Sequence, residues 1–566
     1  MKKITKTTLL LCGLSLFGMK TQAQEKIALQ VDLTKVKGNM DPIWAWFGCD
    51  EPNYAYMKDG KKLLTELGQL KSGQPVYFRA HNMLTSGDGS ASFKWGSTNA
   101  YTEDASGNPI YNWRLVDSIF DTYLKRGIKP LAEVGFMPEA LSTKPQPYRH
   151  DWKPGDPYGK IYTGWAYPPN DYNKWAALVY EWVKHSVERY GKKEVETWYW
   201  ELWNEPDLAY WRGTRKEFFK LYDYTADAIK RALPTARVGG ADGTGPLGKL
   251  SGYRLLEGFL QHTITDTNYA TGKIGAPIDF ITFHAKGAPS VDRKDGHVRM
   301  NLGTQLKAVN NGFELVSSFP TLKNLPIVIG ESDPEGCAAC GMYTNPENAY
   351  RNGTMFSSYT AAAFARKYDL ADHYNVNFIG AVSWAFEFEN QPWFHGFRDL
   401  ATNGIDKPVL NVFRMYGKMG GKRVEVSGNQ AYDYIRVRDS SVRREADINA
   451  LASMEKKTAS VMVWNYHDDD LPAPAASVEL TIKGVPVKKV TFTHYRIDDK
   501  HSNSYEVWKA MGSPQNPTAE QIKALEKAGQ LAILDTPKEV TVTNGMAIIS
   551  MTLPRQGVSL VQLTWK

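Results

Sequence analysis

The chain has 566 residues, 42% of them hydrophobic, with 17 Trp, 30 Tyr and 22 Phe; this excludes disorder and supplies a large core. The formal net charge of +7 falls to +3 once residues 1–23, with four lysines and no acid, are set aside. That near-neutral balance without a basic stripe excludes nucleic acid as an expected partner. No later stretch reaches the roughly 18 apolar residues of a membrane span, so no membrane anchor is expected.

In chain order, Lys2, Lys3 and Lys6 precede the apolar run Leu9 to Phe17, and "TQA" at 21–23 offers a small-residue cleavage site. Residues 1–23 therefore read as a signal peptide, and the protein as exported, periplasmic or secreted. Cys12 lacks the small-residue setting of a lipid-attachment cysteine. The strand "KIALQVDL" (26–33) precedes the first strand–helix unit, and residues 24–42 are expected to join a C-terminal β domain.

From 43 to 420 two periodicities alternate. Candidate strands fall near 44–48, 76–80, 129–134, 195–203, 237–241, 279–284, 326–331 and 378–386, each followed by a helical segment. Leu115, Val116, Ile119, Phe120 and Tyr123 mark one helix, closed by Gly127. Trp175, Leu178, Val179, Trp182 and Val183 mark another over 172–190, stopped by Gly191. Thr214 and Glu217 form a capping box. Eight strand–helix units predict a (β/α)8 TIM barrel of the α/β class; an open doubly wound sheet is the alternative. From 421 to 566 short alternating strands such as "KRVEVSG", "AYDYIRVRD", "TASVMVWNYH" and "VKKVTFTHYRID" predict a C-terminal β-sandwich, with one helix at 518–529.

In a barrel the reactive groups sit at the C-terminal strand ends. Those ends carry His81 and Asn82 on strand two, Asn204 and Glu205 on strand four, and His284 and Lys286 on strand six. Glu331 ends strand seven, and Trp384, Glu387 and Glu389 end strand eight. A lone strand-end Glu is commonly a surface residue, but Glu205 and Glu331 both follow apolar runs. Paired carboxyls are what glycosidic bond cleavage requires: one gives a proton to the leaving oxygen, the other stabilises or attacks the anomeric carbon. The aromatic run "WYWELWNEPD" is expected to fix and partly desolvate Glu205, with Trp203 raising its pKa, Asn204 meeting a sugar hydroxyl and Pro206 stopping the strand.

"WNEPD", "IGES", "EVGFMPEAL" and "FHAKG" after strands four, seven, three and six resemble the retaining glycoside hydrolases of clan A, and within it family 39, the β-xylosidase and α-L-iduronidase family. The segments "HYRIDDKHSNSYEVWKAMGSPQNPT" and "FHGFRDLATNGIDKPVLNVF" extend the resemblance over nearly the whole mature chain. It implies an exo-glycosidase acting on oligosaccharides, first of all a β-xylosidase, with a uronide, an arabinoside or a hexoside as the alternative substrates, and with Glu205 as acid/base and Glu331 as nucleophile. It also implies His81, Asn204, His284, Glu387 and Glu389 as sugar contacts. Many clan members carry a Tyr where this chain has Lys286. A retaining pair is expected to lie about 5–5.5 Å apart.

Other signals point elsewhere. Gly243, Gly245 and Gly248 match a dinucleotide fingerprint, but Pro246 interrupts it and the unit is the fifth, so it reads as a barrel loop. Cys337 and Cys340 lie in a Gly- and Pro-punctuated loop without the helix of a redox motif. Cys49, Cys337 and Cys340 are expected to meet on the catalytic face, with any bridge tethering the loop after Glu331. No zinc-ligand spacing occurs, "HDDDLP" (467–472) reads as a solvated turn, and neither metal nor cofactor is expected. The rival class is a non-catalytic carbohydrate-binding protein, which would not need both glutamates.

Overall fold

A computed structural model describes residues 26–71, 73–385 and 387–566. The signal-peptide reading of 1–23 falls outside them. Eight parallel strands close into a barrel: Trp46–Cys49, Val76–Ala80, Ile128–Val134, Tyr199–Leu202, Arg237–Gly243, Phe280–Phe283, Ile327–Ile329 and Phe378–Trp384, here called barrel strands one to eight. Each is followed by a helix, from Lys58–Gly68 to Pro408–Tyr416. The capping box at Thr214 and Glu217 is formed, and Asp171 caps the helix Tyr172–Tyr190.

The strand period of two sorts the barrel interior into layers. At the bottom the rings of Trp46, Tyr77, Tyr199 and Phe280, from strands one, two, four and six, pack stacked or edge to face with centroids 4.2 to 5.3 Å apart. Two residues further on, Arg79 and Glu201 take the same face, and His81 follows above Arg79. The sequence of strand two, Tyr77–Arg79–His81, thus runs from apolar floor to charged layer to site.

Nine strands form one continuous sheet in the second domain. Its order is 532–541, 489–497, 558–564, 458–466, 447–455, 422–428, 27–39, 476–483 and 546–553. The sheet folds over, because Arg496 from one end donates 2.9 Å to the Thr552 carbonyl at the other, and it encloses a core including Val461, Leu480, Phe492 and Ile549. The strand Ile27–Asn39 pairs antiparallel with Lys422–Gly428 and parallel with Ala476–Lys483.

One expected strand is a helix. "AYDYIRVRD" (431–439) holds all but the last residue of the helix Tyr434–Ser440, capped by Asp433, which accepts from the Arg436 amide. Its alternating pattern is overridden by the cap. The turn at 467–472 is solvated only over 470–472; His467, Asp468 and Asp469 are buried. Asp468 is fully buried and takes the Leu302 amide and the Tyr466 hydroxyl, and Asp469 pairs with Arg299, so this turn docks the sheet domain onto the barrel.

Candidate active site

Why the fourth strand ends as it does is settled by backbone geometry. The strand stops at Leu202, not at Pro206. Trp203 and Glu205 then adopt left-handed conformations, φ +65° and +42°, which cost strain in any residue but Gly and cluster at functional sites. Trp203 packs against Phe136, Trp175 and Trp211 and donates to the Tyr210 carbonyl, so its ring secures the turn in the barrel wall. Asn204 and Glu205 swing to the opposite side. Glu205 is further held by its amide, which donates 2.9 Å to the Asp242 carbonyl on strand five.

Glu205 and Glu331 meet around one cation. Lys286 Nζ lies 2.5 Å from Glu205 Oε1 and 3.0 Å from Glu331 Oε2, which bounds these two oxygens to within 5.5 Å of each other. His284 reaches Glu205 Oε1 at 2.9 Å through Nδ1 and Asp242 at 2.9 Å through Nε2. Arg398 gives Nη1 to Glu331 Oε2 and Nε to Asp333, both at 2.8 Å, and lies over the Trp384 ring at 4.6 Å.

Both carboxyls titrate low. Burial pushes Glu205 up, but the Lys286 ammonium and the His284 imidazolium outweigh it and hold it at about 2. Glu331 is held well below the carboxylate range against its burial by Lys286, His284 and Arg398. Burial opposes the charge on His284, yet Asp242 and Glu331 raise it to about 9. The expectation that Trp203 raises Glu205 is therefore overturned: the ring faces away, and the groups beside the carboxyl are cationic.

Beneath this layer Arg79 pairs at 2.6 Å with Glu133 and with Glu201, and also with Asp242. These three carboxylates lie close enough to hold a cation, and the guanidinium takes that place. Arg79 Nη1 also meets His81 Nε2 at 2.7 Å and stands 3.8 Å from Glu331. Asn204 Oδ1 accepts from Arg79 at 3.3 Å.

The structure thus brings His81, Asn204, Glu205, His284, Lys286, Glu331 and Trp384 together. It does not bring Glu387 and Glu389 among them. Glu387 is buried, accepts from the Gly404 amide and is pushed well up by desolvation, while Glu389 accepts the Asp59 amide at 2.6 Å. Beyond Trp384 the chain turns away, and these two carboxyls organise loops at the rim. No sequence motif marks Arg79 or Asp242, although Arg79 sits two residues before His81, the spacing of one strand face. Arg398 comes from a loop, where no periodicity marks it.

Cys337 and Cys340 are disulfide-bonded in the loop after Glu331, and their carbonyls accept from Arg351. Cys49 does not join them. It is buried and free, with its thiol against Tyr123 on the helix after strand two and pushed well up by desolvation.

Comparison with known proteins fits this arrangement. The profile of glycosyl hydrolases family 39 matches residues 28–544. The chain belongs to that family. It is a glycoside hydrolase. A β-xylosidase of Caldicellulosiruptor saccharolyticus is 27% identical over 519 residues, covering 89% of this chain and 91% of that protein. The α-L-iduronidase of Mus musculus is 26% identical over 388 residues, covering 62% and 56%. The crystal structure of the family 39 enzyme from Xanthomonas axonopodis pv. citri superposes with a TM-score of 0.73 at 22% identity, covering 97% of this chain and all of that one, and shares the fold.

Proposed function

We propose that this family 39 protein is an exported, retaining exo-glycosidase of β-xylosidase type, acting on oligosaccharides. The observation that carries the reading is the lysine bound to both carboxylates, which keeps their facing oxygens, Glu205 Oε1 and Glu331 Oε2, within 5.5 Å. An inverting pair needs about 6.5–9.5 Å to admit a water between sugar and base; a retaining pair does not.

Glu331, ionised and aligned by Arg398 and Lys286, attacks the anomeric carbon as the bond to the leaving oxygen breaks. Glu205 gives its proton to that oxygen, then as a carboxylate takes one from the water that releases the sugar. The Lys286 contact suits this second, basic step. For the first, Glu205 must gain a proton, so a bound glycoside displaces Lys286 from it. The export reading rests on the N-terminal sequence pattern.

A second reading is a uronide. A β-D-xylopyranoside and an α-L-iduronide share configuration from C1 to C4 and differ only by the carboxylate at C5. Arg398 Nη2 is buried without a hydrogen-bond partner among the described residues, and with Lys286 it offers cationic donors for such a group. Activity on nitrophenyl β-D-xyloside, but not on an aryl α-L-iduronide, is the expected result. Proton NMR of the first-formed sugar should show retained configuration; the inverted anomer appearing first would overturn the mechanism.

A further inference from the structure

The charged groups around the two glutamates do not end at His81. Asp50 follows barrel strand one and so lies on the catalytic face; it is 3% exposed, and the buried Lys94 on the loop after strand two binds its Oδ2. Lys94 is fixed at every polar point. Its φ is +55°, its amide donates 2.5 Å to Glu51 Oε1, and its carbonyl accepts from His150 Nε2 at 2.9 Å. A strained, over-determined lysine that reaches the barrel mouth is a mark of function.

The tautomer of His81 links this pair to the nucleophile. Arg79 can only donate, so His81 Nε2 accepts and the proton sits on Nδ1. Nδ1 stands 3.6 Å from Asp50 Oδ1, too long for a direct hydrogen bond, while Nε2 stands 3.7 Å from Glu331 Oε1. The imidazole thus separates Glu331 from Asp50 by its own width and gaps of 3.7 and 3.6 Å, room for a pyranose ring with a contact at each end. With C1 at Glu331, the far hydroxyls of the glycone come to Asp50, Lys94 and the His81 Nδ1–H. The Tyr158 ring, 5.4 Å from Lys94 Nζ, lines the same space.

We infer that Asp50, Lys94 and His81 Nδ1–H form a clamp for the vicinal C3 and C4 hydroxyls, with Lys94 a specificity-determining residue. The pair is a neutral unit that offers donor and acceptor side by side. That matches a diol, each hydroxyl giving one proton and taking one. An anionic substituent at O3 or O4 would meet the Asp50 carboxylate. This inference rests on the glycosidase reading of Glu205 and Glu331.

The test is a kinetic cycle between enzyme and substrate. Lys94→Met, and separately Asp50→Asn, are assayed on the preferred aryl glycoside and on its 3-deoxy and 4-deoxy analogues. Removing a contacted hydroxyl should lower wild-type kcat/KM roughly ten- to hundred-fold, as should either substitution on the full substrate. Hydroxyl and side chain removed together should cost little more than one alone. Losses that simply multiply for both variants and both hydroxyls would overturn the clamp in an enzyme that still turns over its glycoside. A wild-type protein inert on every glycoside would overturn the functional reading itself.

Discussion

Lys286 carries more of the site than any other side chain outside the two glutamates. It sets how close the carboxylates can stand and keeps both ionised. In Lys286→Met, burial of Glu205 is opposed by His284 alone, so its pKa rises. Deglycosylation needs the carboxylate and fails as pH falls through that pKa, so the acid limb of kcat on a dinitrophenyl glycoside should move to higher pH. Turnover near neutrality should fall about tenfold or more. An unmoved limb would show that Lys286 does not tune Glu205. The glutamates themselves should separate by role. Glu331→Ala should lose turnover on every substrate. Glu205→Ala should keep fast glycosylation with activated leaving groups and regain turnover with azide, giving a β-glycosyl azide from a β-glycoside. The same azide product from both variants would undo the assignment. At this scale the sequence was legible where a residue ends an apolar strand. It was not legible where a left-handed turn reverses the alternation, as at Trp203, or where a loop delivers the group, as with Lys94 and Arg398.

Among the elements, the helix Thr354–Tyr374 shows why some segments are hard to read. It has no clean polar face because both sides are covered. Tyr359 reaches Gln305 on the preceding barrel helix, Ser358 binds Gln556 of the sheet domain, and Arg366 pairs with Asp447. The opposing strand Thr458–Tyr466 answers in kind: Val461 and Val463 face the sheet's own core, while Met462, Trp464 and Tyr466 join the barrel's. Asp447 also takes the Trp464 indole and the Tyr432 amide. Asp447→Ala strands a buried guanidinium and should cost about 3–5 kcal/mol of stability in denaturant titration. Lys489→Ala, in an exposed pair with Glu539, should change it by less than about 0.5 kcal/mol. Equal effects would show that the Arg366 contact is not a joint.

For the whole molecule, the barrel was legible because strand and helix periods alternate eight times with caps and glycine stops between them. The coupling of its two parts was not, since a turn such as "HDDDLP" reads the same whether solvated or docked. The apolar core of the barrel runs without a break into Trp464, Tyr466, Ile497 and Leu560 of the sheet. Two bodies sharing one core should unfold together, so calorimetry should give one transition, with calorimetric and van't Hoff enthalpies in agreement. Two resolved transitions would mean that the interface is weaker than its burial implies.

The strand Ile27–Asn39 lies inside the nine-stranded sheet, yet it precedes the barrel in the chain. Its neighbours come far later; the amide of Ala28 binds Asn429, 401 residues on. During synthesis this segment emerges long before either partner exists, and it waits with both hydrogen-bonding edges open while the barrel is made. Folding therefore cannot finish from one end to the other, and the loop to be closed is among the longest the chain allows. Until that closure the waiting strand is an unpaired edge of the kind chaperones protect. A late, long-range closure is thus a required step of folding, because Ile27–Asn39 precedes the barrel and both of its partner strands follow it.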